Sequence, residues 1–129
     1  MIGKELERAL APHGFARRGL TFVLHREPNY WVVRVFNDKR RGVGLVVRVI
    51  SELESRAKGL PVADPFRDGV SNWESGPAFL SAPEFAEWEI VSNESDAALL
   101  ATRWARWVTE VGFRFFLEGS RELNERYRA

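Results

Sequence analysis

Two runs of β-branched and aromatic residues constrain this chain more than anything else in it. YWVVRVFN (residues 30–37) and VGLVVRVISE (residues 43–52) stand on either side of the turn-forming stretch 38–42. A third run, LTFVLHR (residues 20–26), precedes them across Glu27-Pro28-Asn29. Such residues fit a pleated, half-buried surface, and short turns join neighbouring strands antiparallel, so a three-stranded meander is predicted at the centre of the fold. Alternation along each strand assigns the faces. Trp31, Val33 and Val35, with Leu45, Val47 and Val49, make one apolar side that is expected to meet the core. Tyr30, Val32, Arg34 and Phe36, with Val46, Arg48 and Ile50, make the other.

Helical periodicity flanks this meander. Ile2, Leu6, Ala9 and Leu10 share one face of a predicted first helix, which Pro12 and Gly14 end. Phe15 is expected to tuck back against Leu6 and Leu10, with Arg17-Arg18-Gly19 as a solvated turn. Residues 54–84 contain Gly59, Pro61, Pro65, Gly69, Gly76, Pro77 and Pro83 and read as one long connection. Connections of that length inside a small domain are often functional. FAEWEIV (residues 85–91) alternates well enough for a fourth strand. Asn93 then reads as a helix cap, with Asp96 in the first turn and an apolar stripe of Leu99, Leu100, Trp104, Trp107, Val108 and Val111. Gly112 is expected to end that helix, and Ser120 to cap a short last one that finishes near Tyr127. The expected architecture is a single α+β domain over residues 1–129, with about four mainly antiparallel strands and the C-terminal helices packed on the sheet.

A chain of 129 residues with 45% apolar content can close one core of its own. The absence of cysteine excludes disulfides, thiol nucleophiles and thiolate metal sites, and fits a reducing compartment. The first residues lack the apolar core of a secretion signal, and no run approaches the roughly 18 apolar residues of a membrane span, so a cytoplasmic location is expected. The net charge of +1 conceals a split. Residues 1–58 hold 12 Lys or Arg against 6 Asp or Glu, whereas residues 59–129 hold 7 against 12. This predicts either a basic binding face or, as the simpler outcome, two parts that neutralise one another on packing.

The chemistry of known catalytic motifs is missing. His13 and His25, the two histidines, sit in different predicted elements, with no H-E-x-x-H arrangement. Gly42-Val43-Gly44 is a turn into a strand, not a dinucleotide loop opening a helix, and neither a phosphate loop nor a G-x-S-x-G elbow occurs. Glu87 and Glu89 lie two apart on the predicted fourth strand and are expected to pair with Arg34 and Arg48 under the tryptophan-bearing helix. In the competing arrangement Tyr30, Phe36, Arg34 and Arg48 stay open as a platform for stacking and for anion binding. Trp73 is expected to anchor the long connection to the core, or else to serve as a binding aromatic. The candidate binding residues are therefore Arg34, Arg48, Tyr30, Phe36, Trp73, Glu87 and Glu89, with no catalytic residue, metal or cofactor expected.

The segments HGFARRGLTFVL (13–24), VVRVFNDKR (32–40), GLVVRVI (44–50) and WEIVSNESD (88–96) together resemble the bacterial family catalogued as domain of unknown function 4304. Its members share a short helix ending in Gly-Phe before a basic patch, a strand opened by Thr-Phe, and a Trp-led strand leading into the last helical region. The resemblance covers most of the chain outside residues 54–84 and implies no reaction. The expected function is a small non-catalytic protein-binding module, regulatory or immunity-like. One alternative is a small-molecule or nucleotide pocket, enzymatic or not, between sheet and connection, lined by Arg34, Arg48, Glu87 and Glu89. A weaker one is single-stranded nucleic-acid binding. A homodimer through an edge strand is compatible with the pattern, and a membrane partner is not expected.

Overall fold

The computed structural model describes residues 2–61, 64–67 and 73–128. It is an α+β fold in which helices cover one face of a five-stranded antiparallel sheet. Helix α1 (Ile2–Leu10) runs into a 3-10 turn at Ala11–His13, which Gly14 closes at φ 97°, a conformation that costs glycine nothing. The strands are β1 (Ala16–Arg18), β2 (Thr21–Arg26), β3 (Asn29–Asp38), β4 (Gly42–Ser51) and β5 (Trp73–Ser75), adjacent in that order. Short helices α2 (Glu52–Ala57) and α3 (Pro77–Leu80) interrupt the predicted long connection. Helix α4 (Glu94–Trp107) continues through a π-helical turn at Val108–Gly112 into α5 (Phe113–Tyr127).

The central meander lies where the sequence places it, but the fourth strand does not. Residues 85–91 pair with the sheet at a single bridge, where Val43 and Glu89 exchange backbone hydrogen bonds at 2.9 and 2.8 Å. Beyond Val43 the edge of β4 is already occupied, by Gly76 against the Leu45 carbonyl and by β5 along Val47–Val49. The added strands are β5 and β1, the latter formed by the residues expected to be a turn.

The apolar face behaves as predicted. Trp31, Val33, Val35, Leu45, Val47 and Val49 join Phe22 beneath Leu6, Leu10, Phe15, Leu100, Trp104, Phe116 and Leu123 in one buried cluster. Phe15 does pack with Leu6 and Leu10 in that cluster. Asn93 does cap α4, its side chain accepting from the Asp96 amide at 2.9 Å. Leu99, assigned to the buried stripe, faces solvent.

Gly112 does not end the helix. Trp104, Val108, Gly112 and Phe116 are all buried at four-residue spacing, wider than the 3.6 residues of an α-helical turn, and the π turn absorbs the excess so that one stripe continues. Ser120 caps nothing. It sits inside α5, where its Oγ accepts from the Trp31 indole at 2.9 Å. One turn on, Asn124 Oδ1 accepts from the Asn29 side-chain Nδ2 at 3.0 Å. Residues two apart on β3 thereby meet residues four apart on α5, which fixes the helix along the strand.

Candidate functional site

With the helices on one side, the other sheet face is left to short covering segments. Its central apolar residues, Val23, Val32 and Ile50, are sealed by Phe66 with help from Tyr30. The sequence Asp64-Pro-Phe-Arg67 builds that plug locally. Asp64 Oδ1 accepts from the Phe66 amide at 3.0 Å, a turn that aspartate forms readily. Arg18 then brackets it, its guanidinium 4.6 Å from the Phe66 ring and 3.5 Å from the Asp64 carboxylate.

Arg34 and Arg48 do lie on this face, as alternation requires, but they hold covering segments instead of meeting Glu87 and Glu89. Arg34 donates from Nε to Thr21 Oγ1 at 3.1 Å and from Nη2 to the Phe66 and Arg67 carbonyls at 3.0 Å each. Arg48 pairs across the strand with Glu74 of β5 at 3.2 Å. The Glu89 carboxylate turns back to the Ala86 amide at 3.0 Å, and Glu87 is exposed. The tryptophan-bearing helix covers the opposite face, and the four charged residues form no common cleft. Arg18 with Asp64 and Arg48 with Glu74 link the basic first part to the connection, whereas the other ion pairs among the described residues lie within one part or the other.

Trp73 points to the core side from β5, against Phe115 and over Gly119, where any Cβ would collide with the indole. It anchors the connection, in keeping with the first of its two expected roles. Tyr30 enters a small polar group at the far end of the face. Its ring stacks on His25 at 4.3 Å, and His25 Nε2 lies 3.1 Å from Glu52 Oε1. Burial, with the Glu52 carboxylate beside it, holds the Tyr30 hydroxyl above its ordinary pKa. Among the described residues no group of His, Asp and Glu is placed to hold a metal, and no helix is long and apolar enough to cross a membrane.

Among the described residues, the less covered part of the face is at the β3–β4 end, where it carries aromatic side chains. Phe36 is opposite Gly44 in the register, and Trp88 lies against Gly44, with its ring 3.7 Å from the place a Cβ would occupy. Val46 and Phe79 line one open cleft with Glu74 and Ser75. Phe79 is 73% exposed and Phe36 37%, and Leu80 beside Phe79 is exposed as well. Arg41 stands 5.9 Å from the Trp88 ring and belongs to the basic hairpin tip Lys39-Arg40-Arg41. Asp38 shapes that tip by accepting from the Arg40 and Arg41 amides at 2.8 and 3.0 Å, which also lowers its pKa. Of this patch, sequence reasoning picks out only Phe36. Phe79 falls in the long connection, where its one signal is an aromatic among turn formers, and Trp88 falls in the expected strand, where alternation alone does not mark it.

Compared with known protein families, with curated proteins and with solved structures, the chain finds no match.

Proposed function

We propose that the chain is a non-catalytic protein-recognition domain, regulatory or immunity-like, whose contact surface is the less covered aromatic end of the sheet. The observation that carries this reading is the grouping of exposed Phe36 and Phe79 with Trp88, Val46 and Arg41. Scattered apolar residues on a surface mean little, but contiguous ones mark interaction sites, and aromatic and arginine anchors supply most of the binding energy of such sites. Lys39, Arg40 and Arg41 set the charge of the partner, which should offer carboxylates around an apolar anchor. Arg34 and Arg48 act in support by holding the covering segments, and Tyr30 closes the far side of the plug.

The test is affinity purification from a lysate of the source organism, with wild type compared against Phe79→Asp and Phe36→Ser. Leu117→Ser, at an exposed leucine of α5, is the control. A partner recovered in stoichiometric amount should fall at least tenfold with either patch variant and persist with the control. The purified partner should also rebind more weakly as salt rises. A partner retained by both patch variants would remove the patch from the proposal, and recovery of none would remove protein recognition itself.

A further inference from the structure

On the helical side of the sheet, at the same end, the side chains do not close up. Gly3 of α1 and Ala97 of α4 are both buried where the helices cross the strand ends, and being small they leave an open-mouthed cleft of about 280 Å³. About half of its lining is apolar: Leu20, Val35 and Val43 from the sheet, with Ile2 and Val91 beside them. Two polar side chains stand in it. Asn37 continues the core-facing register of Val33 and Val35. Arg17 projects from β1 onto the same side, opposite Phe22.

Arg17 is the unusual member. Only 24% of its side chain is exposed, and its guanidinium presses on Gly3 so closely that a Cβ there would collide with it. Nε donates to the Gly19 carbonyl at 2.7 Å. Nη1 faces the half-exposed Glu7 carboxylate at 3.6 Å, longer than a charge-assisted hydrogen bond. Nη2 has no hydrogen-bond partner among the described residues. A guanidinium that is mostly out of water, with unused donor capacity beside a half-apolar cleft, matches a carboxylate carried on a hydrocarbon body.

We infer that this cleft binds a small aliphatic monocarboxylate, with the carboxylate on Arg17 and Asn37 and the chain over Val35, Val43 and Val91. At about 30 Å³ per water-sized group, the cleft of about 280 Å³ accommodates a chain of roughly nine heavy atoms between its walls. This ligand site is separate from the aromatic patch and does not depend on it.

The experiment is a ¹H–¹⁵N titration of the full chain with heptanoate, and with 1-heptanol as the neutral probe of the same length. Heptanoate should give saturable shifts at the Leu20, Val35, Asn37, Val43 and Ala97 amides, with heptanol binding at least fivefold more weakly. Arg17→Met should bring the two probes to equal affinity, and Ala97→Leu, which fills the cleft, should abolish both. Equal wild-type affinity for acid and alcohol, or no saturable shift at those amides, overturns the inference. The comparison of probes on the wild type needs no variant, so it decides the question even where Ala97→Leu fails to fold.

Discussion

Tyr30 is an outward-facing strand residue whose properties come from neighbours on two other elements, His25 of β2 and Glu52 at the start of α2. Its raised pKa is due first to burial and then to the Glu52 carboxylate, so Glu52→Gln should bring it down towards the ordinary value of 10.0. The sign for stability follows from the direction. A folded-state pKa above the unfolded one contributes stability that is complete below the unfolded value and is lost as pH rises through the folded value. Wild type should therefore weaken in the alkaline range, and Glu52→Gln should lose less there; an NMR titration of the Tyr30 ring carbon, with melts across the same pH range, checks both. The sequence gives the outward direction of Tyr30 through strand alternation alone. It cannot give the stacking on His25 or the proximity of Glu52, because both depend on how β3 registers with β2 and on where the chain turns after β4.

At the scale of elements, local preference and packing disagree at Gly119, and the disagreement can be measured. Gly119 lies inside α5, where alanine should stabilise an exposed helix by about 0.5–1 kcal/mol. Here the Trp73 indole fills the space a Cβ would take. Gly119→Ala should consequently destabilise, by about 1–3 kcal/mol as overpacking does, read by denaturant unfolding. A gain in stability would mean that β5 moves aside freely. The same contrast explains which elements are legible. β3 and β4 are ten residues each and keep their period throughout, so their pattern outweighs any neighbour. β1 and β5 are three residues each and are strands only because β2 and β4 pair with them. Residues 85–91 have the pattern without the pairing, since the edge they would join is taken by Gly76 and β5.

For the whole molecule, burial is uneven. β3 is paired on both sides over Asn29–Arg34 and β4 over Val47–Val49, and both lie under the α4–α5 layer, whereas β1 and β5 form the edges. Amide exchange should be slowest at Val33, Val47 and Phe116, approaching global unfolding, and faster by orders of magnitude at β1 and β5. Equal protection at edge and centre would mean that the sheet opens as one unit. The binding surfaces follow the same unevenness. A single helical layer serves one face, and among the described residues Phe66 seals the other over Val23, Val32 and Ile50, while Phe36 and Phe79 are exposed.

The sequence by itself determined the meander, the two faces of β3 and β4, the first helix and the capped start of α4, because each is written in a period or a cap that acts over a few residues. Only the tertiary structure decided what covers each face. Helices took the more apolar side, where they bury the most surface, while the side bearing Arg34 and Arg48 received a short segment with one aromatic plug. Which arginine meets a carboxylate, a carbonyl or an open cleft is set by segments far apart in the chain, and no local pattern carries that information.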